Sequence, residues 1–176
     1  MLLQLFALLA TLACASARSS HALARRGALT PHVGSTTIDI FPGGTGAYPR
    51  VAALSSGDLL GSVTATDGAD KVLTVTRSTD GGASFADFSS IARSPGDLDN
   101  AFLLQRADGA VVAAFRNHDY AADGTTYAYY RITMCVSYDG GATWTFLSQV
   151  AERAATATKN GLWVRAVSCF DPPALG

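Results

Sequence analysis

The chain has 176 residues, a formal net charge of −1, 48% hydrophobic residues and 15% charged ones. A charge so close to zero leaves no electrostatic footprint for nucleic acid or for an anionic membrane surface. Seventeen glycines against two methionines point to many turns, as in all-β folds.

Met1 to Leu12 is a short apolar run leading to Ala15-Ser16-Ala17, a small-x-small cleavage pattern. It is too short to cross a hydrocarbon core of ~30 Å. Residues 1–17 are therefore expected to be a signal peptide and the protein to be secreted. The other reading, a buried N-terminal helix, has no polar face to support it. Residues 18–35 are polar and aperiodic and are expected to form a flexible segment. Within it, Arg25-Arg26 reads as part of a solvated tail rather than as a dibasic processing site. Cys14 leaves with the signal, so Cys135 and Cys169 remain. Secretion permits a disulfide between them, but nothing in the sequence shows one. There is no C-x-x-C and no His/Cys cluster at zinc spacing, so no metal and no organic cofactor are expected.

From about Thr36 onward the sequence becomes β-rich and repeats itself. In the first unit, Arg50-Val51-Ala52-Ala53-Leu54 leads through a Ser-Ser-Gly-Asp turn to Leu59–Thr64. Lys71–Arg77 follows, alternating apolar and polar residues as a half-buried strand does. The octapeptide Ser78-Thr79-Asp80-Gly81-Gly82-Ala83-Ser84-Phe85 closes the run. In the second unit, Ala101–Gln105 leads through Arg-Ala-Asp-Gly to Ala110–Phe115. Thr126–Val136, rich in aromatic and β-branched residues, then reaches Ser137-Tyr138-Asp139-Gly140-Gly141-Ala142-Thr143-Trp144. The two octapeptides start 59 residues apart.

Asp-Gly-Gly supplies the positive φ angles that a tight turn requires. The carboxylates of Asp80 and Asp139 can accept from backbone N–H groups of their own turns, and the hydroxyls of Ser78 and Ser137 can satisfy more of the turn. Phe85 and Trp144 offer a large apolar face to pack beside each hairpin. Each unit thus reads strand, turn, strand, longer loop, strand, Asp-Gly-Gly hairpin, strand. That is the four-stranded antiparallel blade of a β-propeller. Blades are expected at about 48–91 and 100–150, with a third beginning near Asn160. No run after residue 17 has helical periodicity, so the fold class expected is all-β.

The paired octapeptides resemble the Asp boxes (BNR repeats) of sialidase-like propellers. Four further segments are similar to the fungal exo-arabinan hydrolases of glycoside hydrolase family 93. They are Tyr48-Pro49-Arg50, Phe115-Arg116-Asn117-His118-Asp119, Tyr130-Arg131-Ile132-Thr133 and Asn160-Gly161-Leu162-Trp163. The resemblance covers about residues 36–163. It implies a six-bladed parent of which this chain holds two blades and the start of a third. It also implies an active site at one end of the central channel and a carbohydrate substrate, arabinan or a related glycan. Such enzymes retain configuration with two carboxylates, which that chemistry requires about 5 Å apart. The family places one Glu directly after Gly-Leu-Trp, where this sequence has Val164; the second would lie beyond Gly176. Neither carries over, so the polypeptide is expected to be inactive alone. Residues 164–176 depart from the blade pattern, and the expectation is that the reading leaves the coding frame after Trp163.

Candidate residues follow. Arg50, at the head of an innermost strand, either binds a sugar or pairs with a neighbouring carboxylate. Arg116, Asn117, His118 and Asp119 leave the second strand of the second unit and read as a loop, either a site loop or a solvated one. Asp67 is a weak catalytic candidate in the loop after the first unit's second strand, where Asp-Gly is also a common turn. Ser78, Asp80, Gly81, Gly82 and Phe85, with Ser137, Asp139, Gly140, Gly141 and Trp144, are expected to be structural. Trp163 either lines a sugar pocket or packs between blades. Two rival readings remain open: a non-enzymatic propeller that binds a glycan or protein partner, and an exo-sialidase, which would need further arginines on later blades.

Overall fold

A computed structural model describes residues 34–156 and 161–164. The proposed signal peptide, most of the 18–35 segment, Asn160, Cys169 and nearly all of the tail lie outside the described residues.

Eight strands form two sheets. The first holds β1 (Ala47–Ala53), β2 (Leu59–Asp67), β3 (Asp70–Ser78) and β4 (Ala86–Ser94). The second holds β5 (Asp97–Gln105), β6 (Val111–Tyr120), β7 (Tyr127–Ser137) and β8 (Thr145–Ala154). In each sheet the spatial order follows the chain and every pairing is antiparallel. That meander is the plan of a propeller blade.

The alternation of side chains decides what the sheets bury. Leu60, Leu73 and Val75 of the first sheet meet Leu98, Val111, Ala113 and Phe115 of the second in one core. Phe115 and Leu60 are almost wholly buried, and each such side chain contributes about 1.5–3 kcal/mol of apolar burial. Hydrogen bonds cross the same seam. Ser62 Oγ donates to Ala101 O at 3.0 Å, and Ser89 Oγ donates to Gly141 O at 2.6 Å. Trp144 Nε1 donates to Ser89 Oγ at 3.2 Å, so the indole closing the second hairpin rests on the neighbouring blade. On the far face of the first sheet, Thr76 Oγ1 donates to Ile40 O at 2.7 Å. The segment ahead of β1 therefore crosses that face.

Two expectations need correction. Arg116 to Asp119 are not a loop: they lie inside β6, paired with β5 and β7. The apolar run ends at Phe115, but the ladder continues because the polar side chains find partners on neighbouring strands. Nor does a longer loop separate β2 from β3. Asp67 pairs with Asp70 across a hairpin in which Gly68 has φ +62°. The longer connection occurs in the second sheet only, between Tyr120 and Tyr127.

Candidate functional site

The innermost strands of the two blades carry the same irregularity. β1 shifts register between Ala47 and Arg50, and β5 shifts between Asp99 and Phe102. Each bulge holds a non-glycine residue in the left-handed region, Tyr48 at φ 53° and Asn100 at φ 57°. Left-handed backbone costs a residue such as Tyr48 roughly 1–2 kcal/mol, whereas Asn adopts it more readily. Among the described residues these are the only non-glycine cases. Bulges re-aim side chains and concentrate beside functional sites. Arg50 Nη2 donates to Asn100 Oδ1 at 2.9 Å, and its guanidinium lies 4.9 Å from the Phe102 ring centre. The Arg50 side chain thus ties one bulge to the other.

Beside the second bulge lies a charged network. β5 and β6 oppose Asp97 to His118 and Asp99 to Arg116, so the four side chains share one face. Arg116 Nη2 bonds Asp97 Oδ1 at 3.0 Å and Asp99 Oδ2 at 2.7 Å. Tyr127 OH donates to Asp97 Oδ2 at 2.8 Å, and His118 Nδ1 stands 3.6 Å from the same oxygen. Asp99 Oδ1 accepts from Thr64 Oγ1 of the first blade and from the Asn100 amide, both at 2.8 Å. His118 is 2% exposed, and its Nε2 lies 3.2 Å from Leu162 O. His118, then Tyr127 and Arg116, hold the Asp97 carboxyl down at about 2, against the burial that would raise it. Burial, reinforced by Asp97, pushes the Tyr127 phenol above its ordinary value. At neutral pH Asp97 is thus a fixed carboxylate and Tyr127 a fixed donor. A general acid requires the opposite perturbation, a carboxyl held protonated.

The run Arg116–Asp119 therefore does not act as one group. Strand alternation sends Arg116 and His118 to the Asp97 and Asp99 face. Asn117 and Asp119 turn to the other, where Asn117 Nδ2 donates to Thr133 Oγ1 at 3.4 Å and Asp119 pairs with Arg131. Arg131 also donates to Glu152 at 2.6 Å. Asp67 shares an exposed ion pair with Arg93, which also contacts Asp70 at 3.3 Å. Trp163 is 56% exposed. Cys135 is a buried free thiol that burial makes harder to ionise.

The two Asp-Gly-Gly hairpins sit at the opposite ends of the strands from this network, and their bonds repeat almost atom for atom. Asp80 Oδ1 accepts from Ser78 Oγ at 2.7 Å and from the Ser84 amide at 3.0 Å, and Oδ2 accepts from Ser84 Oγ at 2.6 Å. Asp139 accepts from Ser137 Oγ, the Thr143 amide and Thr143 Oγ1 at 2.7, 2.9 and 2.6 Å. Ser78 and Ser137 hydroxyls accept from the Gly82 and Gly141 amides, both at 2.8 Å. Ser84 and Ser78 hold the Asp80 carboxyl far below its ordinary value; Thr143 and Ser137 hold Asp139 at about 2.

Two clefts that share Lys71 are among those open at the network's end of the blades. An inner one of about 380 Å³ is lined by Thr45, Tyr48, Thr64, Asp97 and Asp99 among others. An outer one of about 770 Å³ lies over the seam, lined by Ser94, Gly96, Asp119 and Tyr120 among others. Lys71 lines both. Sequence reasoning missed Asp97, Asp99, Asn100, Thr64 and Tyr127. One signal was present: the spacing Asp97-x-Asp99 puts both carboxylates on one face once the strand is started at Asp97, four residues before Ala101.

No protein-family model matches the chain, and no curated protein matches it. Solved structures do. An α-L-arabinanase of Penicillium chrysogenum complexed with arabinobiose is 24% identical, with a TM-score of 0.51 over 65% of this chain and 35% of that one. A mutant α-L-arabinofuranosidase of Fusarium graminearum in complex with an iminosugar inhibitor is also 24% identical, with a TM-score of 0.54 over 70% of this chain and 37% of that one. The chain thus spans little more than a third of the structures it matches. The likeness bears out the all-β propeller reading: the chain has the fold of part of a propeller like those of the family 93 arabinan-active enzymes.

Proposed function

We propose that the chain is part of a secreted, sialidase-like propeller glycosidase whose substrate is arabinan or a related glycan. The observation that carries this is the repeated bulge. Two adjacent inner strands hold Tyr48 and Asn100 in left-handed backbone at the same end of the blades, beside a cleft lined by Asp97 and Asp99. Bulges at corresponding places in two blades, next to a polar cleft, support a ligand-facing channel mouth. In this reading Asp97 and Asp99 bind sugar hydroxyls; His118, Tyr127 and Arg116 keep the Asp97 carboxyl ionised, which does not suit it to the general-acid role. Asp67 is equally unsuited, being exposed and paired with Arg93.

The 176-residue polypeptide is therefore expected to bind arabinobiose weakly and to release no sugar from arabinan. Calorimetric titration with arabinobiose, with reducing-end assays on linear arabinan, tests both parts. Sugar release by the purified chain would refute the assignment of Asp97 and Asp99 to binding. Absence of any arabinobiose binding would refute the carbohydrate reading.

A further inference from the structure

We propose that the seam between the two blades is a binding track for a neutral oligosaccharide longer than a disaccharide, with Tyr120 as the stacking platform at its outer end. The inference rests on the carbohydrate reading above and extends it from the inner cleft to the outer one. The two clefts, about 380 and 770 Å³, each fall in the range of small-molecule sites, and Lys71 lines both. A ligand filling both must be elongated and must cross that lysine. The Lys71 ammonium donates to Thr66 Oγ1 at 3.1 Å and keeps further N–H groups for a ligand oxygen.

Tyr120 is built as a platform. Its ring stacks on Tyr127 with centroids 5.0 Å apart and planes 14° apart. Tyr127 is pinned through its hydroxyl to Asp97, which lines the inner cleft. Tyr120 is partly exposed and lines the outer cleft. A sugar ring presents hydroxyls at its edge and C–H groups on its faces; those C–H groups suit the negative face of an aromatic ring. A ring already fixed by a parallel neighbour loses little freedom on binding.

The charges of the outer cleft favour a neutral ligand over an ionic one. Lys71 and Asp119 are of opposite sign, and Asp119 is held by Arg131. Ser94 and the backbone of Gly96 supply the remaining polar lining, suited to hydroxyl groups that both donate and accept.

The test is calorimetric titration of the full chain with arabinobiose and with linear arabinopentaose. The wild-type chain should bind the pentaose at least about tenfold more tightly than the biose. Tyr120→Ala should collapse that ratio toward one, Lys71→Ala should reduce it, and Tyr120→Phe, which keeps the ring, should preserve it. Far-ultraviolet circular dichroism of each variant verifies the fold. Equal affinity for the two sugars would overturn the track while leaving the inner cleft as the sugar site. A ratio unaffected by Tyr120→Ala would overturn the platform. If neither sugar binds, the carbohydrate reading falls and the track with it.

Discussion

Replacing Arg116 by alanine perturbs the network at its centre. One guanidinium nitrogen holds two carboxylates at 3.0 and 2.7 Å. The three side chains keep only 14%, 16% and 10% of their surface exposed. Without Arg116, Asp97 retains Tyr127 and His118, while Asp99 retains Thr64 and Asn100 on one oxygen and loses its partner on the other. Removing one member of a buried pair costs 3–5 kcal/mol because the remaining charge is stranded. Partial exposure and the surviving bonds favour the lower end, about 3 kcal/mol. Urea unfolding measures it as a shift in midpoint at constant slope. Asp99→Asn in the Arg116→Ala background should recover part of the loss, since it removes the stranded charge. Arg106→Ala serves as the surface comparison: Arg106 and Asp108 lie 2.8 Å apart but are 45% and 51% exposed, and such a pair contributes no more than about 1 kcal/mol. A loss at Arg116 no greater than that at Arg106 would refute the reasoning.

Asp97 gives a pH signature. Its pKa falls from 3.8 to about 2 on folding, so its contribution is complete above the unfolded value and disappears as pH falls through the folded one. The contribution is about 2 kcal/mol. The stability gap between wild type and Asp97→Asn should therefore close as pH falls from about 4 to about 2, and a gap that does not narrow would contradict the network. Asp80→Ala and Asp139→Ala should each lower the melting temperature without altering arabinobiose affinity, because both hairpins lie at the far end from the clefts. A selective loss of binding would place those carboxylates in the site. Trp144→Ala should cost about 3 kcal/mol, the lower end for a large aromatic, because the indole spans the seam to Ser89. A cost under about 1 kcal/mol, the level of an ordinary surface change, would show that the second hairpin does not bind the blades together.

The blades were legible because their signals are local. The two Asp-Gly-Gly hairpins need φ angles near 73° and 94° at Gly81 and Gly82, and 71° and 95° at Gly140 and Gly141. Few sequences meet that need, so the turns announce themselves. The strands between them follow from alternation. The candidate site was harder to read because its parts are non-local. Arg116-Asn117-His118-Asp119 looks like one polar group in the chain, yet the pleat divides it between two faces. Asp97 and Asp99 gain their meaning only when β6 lies beside β5 and Thr64 approaches from the other blade. The bulge at Tyr48 has no turn residue to mark it, Asn100 alone is a weak turn signal, and only the register of each inner strand exposes the pair.

The most direct test is nitrogen-15 NMR of the labelled chain titrated with arabinobiose. The amides of Tyr48, Asp99 and Asn100 should shift together and saturably, while those of Gly81, Gly82, Gly140 and Gly141 stay in place. Shifts confined to the hairpin glycines, or none at all, would contradict a carbohydrate site at the bulged end of the inner strands.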